Sequence, residues 1–68
     1  MFIELHTLSD GKPILLNAKH IVAIIPTDDY VIVVASSIDN GTSDTWRVKE
    51  SYDDILGLMG YQRKPKLR

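Results

Sequence analysis

The sequence predicts a mainly β protein, a four- to five-stranded antiparallel sheet or small open barrel built from hairpins and capped by a single C-terminal α-helix. Three observations predict it: short apolar runs, Asp-Gly and Asn-Gly pairs between those runs, and one helical apolar period near the C-terminus. With 68 residues and no cysteine, the chain forms one small domain without disulfides. We place that domain at residues 1–61 and a basic tail at 62–68.

The first hairpin is predicted around Asp10-Gly11. Apolar and polar residues alternate from Phe2 to Leu8, which is the period of a half-buried strand. Asp-Gly suits a type I′ turn, because both central residues of that turn need positive φ. We therefore expect Ser9 to pair with Lys12. This register places on one face Ile3, Leu5, Thr7, Ile14, Leu16 and Ala18.

Two continuous apolar runs follow, at 21–25 and 30–35, and Pro26 ends the first of them. Neither run contains a charged residue, so we expect both strands to be apolar on both faces. One helix covers only one face of a sheet, so the other face must be enclosed by a barrel or covered by a second copy of the chain. We therefore expect a homo-oligomer. Its candidate interface consists of Val22, Ile24, Ile32 and Val34.

The second hairpin is predicted around Asn40-Gly41, with Asp39 paired with Thr42. This register would place Trp46 on the core face. The cross-strand pairs that it predicts are Val33 with Val48, Ala35 with Trp46, Ile32 with Lys49, and Val34 with Arg47.

A short helix is predicted to begin after Ser51, because serine is a favourable N-cap and Asp53 and Asp54 favour the positive end of the helix dipole. Gly60 is a natural residue for its C-terminal end. Apolar residues at helical spacing should lie on the sheet, and they are Tyr52, Ile55, Leu56 and Met59.

The charge distribution gives one candidate contact surface. The net charge of -1 provides no strong field toward nucleic acid or membranes, yet six of the eight basic residues lie after position 46. The candidate anion or nucleic-acid contacts are Arg47, Lys49, Arg63, Lys64, Lys66 and Arg68. A solvated strand edge and a solubilising tail also account for these residues. We favour that interpretation because aromatic side chains are not interleaved with them.

Catalytic, metal and cofactor sites are not expected. His6 and His20 have no further histidine or cysteine at metal-ligand spacing, so both are interpreted as structural. The serines lack a nucleophile motif, and the paired aspartates fit a turn and a helix start. The apolar run at 21–25 is too short to cross a membrane and no signal-peptide pattern is present. We expect a cytoplasmic protein without cofactor, metal or enzymatic activity.

Several of these segments together resemble one known family. They are Leu5-His6-Thr7-Leu8, Asp10-Gly11-Lys12, Leu16-Asn17-Ala18, His20-Ile21, Ile24, Val48-Lys49-Glu50-Ser51 and Ile55. The chain is similar here to the small flagellar proteins of the FlbD and swarming-motility (SwrD) type. That resemblance implies two hairpin-containing β segments around a Leu-Asn element, ending in a Val-x-Glu-Ser helix start. Because these motifs are turn, core and cap residues, the resemblance bears on fold more than on role.

Three functions are compatible with this sequence. The first is a non-enzymatic homo-oligomeric assembly or adaptor module that binds a protein partner, motivated by the strands that are apolar on both faces. The second is RNA or single-stranded DNA binding through Arg47, Lys49 and the basic tail. The third is an oligomer that sequesters a nucleotide or similar anion between its subunits.

Overall fold

The computed structural model describes residues 1–36 and 42–61. Antiparallel strands dominate these ranges, and one α-helix follows them, as predicted. The elements in chain order are β1 (Phe2–His6), β2 (Pro13–Asn17), a 3-10 helix (Ala18–His20), β3 (Ile21–Pro26), β4 (Val31–Ser36), β5 (Ser43–Val48) and α1 (Tyr52–Leu58). The predicted Asn40-Gly41 turn and the predicted basic tail lie outside the described residues.

The strands form two sheets, in the orders β1-β2 and β3-β4-β5, so the prediction of one four- to five-stranded sheet or barrel was wrong. Within residues 1–36 and 42–61, the sheets meet at a single bridge between Thr7 and Val48. Beyond this bridge β1 enters its hairpin loop at Leu8, while β5 gives way to the segment that leads into α1. The two strands therefore diverge before a longer ladder can form.

The core lies where both sheets and the helix meet. Leu5 of β1, Val33 of β4, Val48 of β5 and Ile55 of α1 are fully buried and belong to one cluster. Trp46 packs against this cluster, as predicted. The β1-β2 sheet and α1 thus together provide the apolar cover for one face of the three-stranded sheet.

The first hairpin has a longer loop than predicted. The amide of Thr7 donates to the carbonyl of Lys12 (2.9 Å), so residues 8–11 form the loop. Only Gly11 in this loop has positive φ, at 71°, which excludes the type I′ turn predicted for Asp10-Gly11. Asp10 instead accepts hydrogen bonds from the Thr7 hydroxyl and the Lys12 amide, and these two bonds lower the pKa of its carboxyl group. The side-chain hydrogen bonds of Asp10 thus favour the wider loop.

Both hairpin registers differ from the predicted ones by two residues. Leu5 pairs with Ile14, and Val33 pairs with Trp46 instead of Val48. A shift of two residues keeps every side chain on its predicted face, because side chains alternate with a period of two. The predicted faces are therefore correct although the predicted cross-strand pairs are not. The other observed pairs in β4-β5 are Val31–Val48, Ile32–Arg47, Val34–Thr45 and Ala35–Asp44.

The helix agrees with its sequence signals. The hydroxyl of Ser51 accepts a hydrogen bond from the Asp54 amide (3.1 Å), which caps the N-terminus. Ile55 and Leu56 are buried, and Tyr52 and Met59 pack against the core cluster. Gly60 follows the C-cap with a φ of 73°, a conformation that glycine adopts without steric cost.

Candidate functional site

The outer face of the three-stranded sheet is the face opposite the core. Along β4 the residues alternate between buried (Val31, Val33, Ala35) and partly exposed (Ile32, Val34). The partly exposed pair lies outside the core cluster and outside the side chains packed against it. Two cross-strand rows form this outer face, Ile25–Ile32–Arg47 and Ala23–Val34–Thr45. It is therefore apolar on β3 and β4 and polar on β5.

A β-bulge in β3 changes the predicted interface. The register shifts between Ile21 and Ala23, with Val22 as the extra residue. Ile21 and Ile24 therefore both pack against the core cluster, although they are three positions apart. Val22 is 64% exposed. Of the four predicted interface residues, the structure brings together Ile32 and Val34 on the outer face, places Ile24 toward the core and leaves Val22 at the bulge.

Sequence reasoning missed two residues of the outer face, Ala23 and Ile25. They lie opposite Val34 and Ile32, and Ile25 is 46% exposed. The run at 21–25 contains no polar residue that would show which positions face outward. The sequence of the run therefore does not show which residues face the core, and hydrophobic periodicity cannot reveal a bulge inside it.

The predicted basic surface is divided between two elements. The guanidinium carbon of Arg47 lies 5.5 Å from the centre of the Tyr30 ring, a cation–π geometry. Lys49 follows the end of β5, and its ammonium group lies beside the first hairpin loop, 3.1 Å from where a Cβ on Gly11 would lie. Arg47 and Lys49 therefore contact different parts of the protein. The four predicted tail residues, Arg63, Lys64, Lys66 and Arg68, lie outside the described ranges.

His6 and Glu50 join the two sheets to the start of the helix. The Glu50 carboxylate accepts from the His6 amide (2.9 Å) and lies 2.6 Å from its ring Nδ1. A carboxylate only accepts hydrogen bonds, so Nδ1 carries the hydrogen. Oε2 of Glu4 lies 3.4 Å from Nε2, on the other side of the ring. We call this contact between His6 and Glu50 the clamp.

The clamp also affects the acidity of Glu50. Burial raises the pKa of Glu50, but the hydrogen bonds from the His6 ring and the His6 amide outweigh burial and hold that pKa below the usual glutamate value. Nearby, the amide of Lys49 donates to the carbonyl of His6 (2.9 Å). The contacts of His6 with Glu50 and Lys49 lie beside the Thr7–Val48 bridge and connect β1 to the segment after β5. A structural role therefore accounts for them. The other histidine, His20, accepts through its carbonyl from the Ser36 hydroxyl (3.3 Å).

The described residues contain no group of three or more His, Cys, Asp or Glu side chains that could hold a metal ion. Their surface does contain shallow grooves, two of which lie beside exposed apolar side chains. One, of about 270 Å³, lies between β3 and α1, and its lining includes Val22, Met59 and Tyr61. The other, of about 290 Å³, lies along β2 beside the ends of β4 and β5.

Compared with protein-family models, with curated proteins and with solved structures, the chain gives no match. The resemblance to the flagellar and swarming-motility proteins therefore stays a prediction. Within residues 1–36 and 42–61, no helix is both long and apolar enough to cross a membrane.

Proposed function

We propose that this protein is a non-enzymatic assembly module whose copies associate through the outer face of the three-stranded sheet. The observation that carries the proposal is the position of Ile25, Ile32 and Val34. They form adjacent apolar positions on β3 and β4, and none of them packs against the core cluster. Covering such a face removes apolar surface from water at about 25 cal/mol per Å².

The polar side of the face suits the rim of such an interface. Thr45 and Arg47 continue the two rows onto β5, and Arg47 is held against Tyr30. Interfaces typically combine an apolar centre with a polar rim. A stable homodimer buries about 800 Å² on each partner, which is more than the apolar side chains alone supply. The rim must therefore contribute, and we expect micromolar affinity.

The test measures the molar mass of the full chain by sedimentation equilibrium, from low micromolar to submillimolar concentration. We expect a concentration-dependent increase in mass, and we expect Ile25→Asp to abolish it because a charge would be buried in the interface. The matched control is Leu58→Asp, since Leu58 on α1 is 47% exposed and Ile25 is 46% exposed. A monomeric wild type across the whole range would refute the proposal, as would equal loss of association in both variants.

The two alternatives predicted from sequence have their own tests. Nucleic-acid binding through Arg47, Lys49 and the tail predicts affinity for RNA or single-stranded DNA that decreases steeply with salt and is lost when residues 62–68 are removed. Sequestration of a nucleotide or similar anion predicts a small molecule that stays bound to the purified protein in native mass spectrometry. The described contacts of Arg47 and Lys49 lie on different elements, so they give neither alternative the support that the outer face gives self-association.

A further inference from the structure

The β1-β2 sheet carries a second exposed apolar site, separate from the outer face of the three-stranded sheet. Phe2 and Leu15 are 63% and 64% exposed. They are diagonal neighbours on adjacent strands, because Phe2 pairs with Asn17 and Glu4 pairs with Leu15. Diagonal neighbours in a sheet are within reach of aromatic side chains. This sheet therefore presents a large apolar pair to solvent next to a strand edge.

The hydrogen bonds of the first hairpin show which backbone groups of β2 face away from β1. The amide of Thr7 donates to Lys12 (2.9 Å) and the amide of Ala18 donates to Met1 (2.8 Å). Hydrogen-bonded and non-hydrogen-bonded pairs alternate along an antiparallel ladder. In the observed register Ile14 and Leu16 therefore bond to β1, whereas Leu15 directs both its amide and its carbonyl outward. Asn17 directs only its amide outward, because it is the N-cap of the 3-10 helix and its carbonyl accepts the first bond of that helix.

The outward groups of β2 have no strand partner within the described ranges, since β2 pairs only with β1 there. Pro13 adds an outward carbonyl without an amide. Leu15 and Asn17 are two residues apart, which is the spacing at which an added strand makes its hydrogen bonds. The edge of β2 can accept an extended peptide.

The edge of β3 is less suited to this role. The amide of Thr27 donates to Tyr30 (2.8 Å). By the same alternation the backbone groups of Ala23 and Ile25 bond to β4, and only the amide and carbonyl of Ile24 point toward the open edge. Ile24 lies between the bulge at Val22 and Pro26, which has no amide hydrogen. Bulges and prolines block strand addition at sheet edges. The open edge of β5 carries polar and charged side chains before Trp46, namely Ser43, Asp44 and Thr45.

The groove along β2 adds chemical selectivity. Its lining includes Phe2, Leu15, Asn17, Asp44 and Trp46. The side chains of Phe2 and Leu15 favour an apolar group of a ligand. Among the described residues Asp44 takes part in no ion pair, so the groove also favours a cation.

We propose that the edge of β2 binds an extended segment of a partner protein as an added strand. The segment carries apolar side chains that cover Phe2 and Leu15, and a lysine or arginine that reaches Asp44. Its backbone exchanges hydrogen bonds with the amide and carbonyl of Leu15 and accepts one from the amide of Asn17. This inference concerns a different surface from the proposed assembly interface and does not depend on self-association.

The experiment selects a phage-displayed library of random dodecapeptides on the full-length protein and synthesises the enriched sequences. Trp46 is the one tryptophan of the chain and lines the groove, so its emission reports occupancy, and calorimetry gives the affinity. We expect apolar residues at alternate positions with a basic residue among them. We expect Leu15→Lys to weaken binding by at least about tenfold, since the cover over an apolar side chain is lost.

Two further variants make the test specific. Val22→Lys is the matched control, because Val22 is as exposed as Leu15, and it should leave peptide affinity within about twofold. Leu15→Pro removes an amide that β1 does not use and should abolish strand addition while the chain stays folded by circular dichroism. If Leu15→Pro does not fold, Leu15→Lys against Val22→Lys still decides the question.

Four results would overturn the proposal. They are the absence of any enriched peptide, equal weakening by Leu15→Lys and Val22→Lys, full binding by a folded Leu15→Pro variant, and displacement of bound peptide by a synthetic peptide of residues 62–68 at equal concentration. The last result would assign the edge to this chain's own tail. Loss of self-association in the Ile25→Asp variant should leave peptide binding unchanged, so the two proposals fail separately.

Discussion

The two faces of β4 differ in what covers them. Val33 and Val34 are adjacent valines on the central strand of the same sheet, yet Val33 is fully buried and Val34 is partly exposed. The inner face is covered by the β1-β2 sheet and α1, whereas side chains on the outer face do not join the core cluster. Apolar composition alone therefore does not show which face stabilises the fold and which is available to a partner. The position of the covering elements does.

The largest expected effect breaks this comparison directly. Val33→Asp places a charge in the core without a partner, which costs several kcal/mol, a large part of the stability of so small a domain. We expect this variant to be unfolded at 25 °C by circular dichroism and by amide dispersion in NMR spectra.

The adjacent variant Val34→Asp is its control. Its charge stays in contact with solvent, so we expect a folded chain with a free energy of unfolding within about 1 kcal/mol of wild type under monomeric conditions. If both variants unfold, the outer face is part of the folding core and the distinction between the two faces is wrong.

A smaller effect is expected at the clamp, which lies beside the junction of the two sheets. Glu50→Gln removes the charge from two hydrogen bonds to His6, and we expect a loss of about 1–3 kcal/mol in the free energy of unfolding at pH 7. Because the folded-state pKa of Glu50 is lowered, its contribution is present above the unfolded-state pKa of about 4.3 and is lost as pH falls through the folded-state pKa.

Urea denaturation at several pH values measures the clamp. The stability difference between wild type and Glu50→Gln should be full near pH 7 and should shrink in acid. Glu4→Gln is the matched control, because Glu4 approaches the same ring at 3.4 Å but its side chain is 60% exposed; its effect should stay within about 0.5 kcal/mol. A pH-independent difference for Glu50→Gln would show that the clamp does not act through charge.

The smallest effect is expected at the helix cap. Ser51→Ala removes the acceptor for the Asp54 amide and should lower the free energy of unfolding by about 1 kcal/mol. Ser43→Ala is the control at an exposed serine on β5 and should change it by less than about 0.5 kcal/mol. Because α1 covers the inner face, Ser51→Ala should leave the association constant of folded protein unchanged, which sedimentation checks.

Much of the fold could be predicted from the sequence, but the strand registers only to within two residues, which is the period of a β-strand. Alternation assigned Ile3, Leu5 and Val33 to inner faces correctly, and the cap signals located α1. Both registers were displaced by two residues because this displacement leaves the hydrophobic pattern unchanged. In the first hairpin the side chain of Asp10, which bonds to Thr7 and Lys12, favoured a loop that the Asp-Gly pair alone did not indicate.

The candidate site was less predictable for two physical reasons. The phase of an all-apolar strand is set by what it packs against, so the bulge that turned Ile24 inward and Ile25 outward had no sequence signal. The clamp joins His6 to Glu50 over 44 positions. Histidine and glutamate are common residues, so the sequence alone does not show that these two are in contact. The place of Ile32 and Val34 on the outer face could be predicted because β4 alternates regularly and has no bulge between these two residues.

The single junction between the sheets has a consequence for how the domain opens. In the described part of the chain two backbone-to-backbone hydrogen bonds cross it, from the amides of Leu8 and Lys49 to the carbonyls of Arg47 (2.8 Å) and His6 (2.9 Å). If the sheets separate as intact units, these two amides exchange with deuterium at a common rate that is faster than that of Val33 on the central strand. Their exchange would then measure a sub-global opening that exposes the core while each hairpin remains formed.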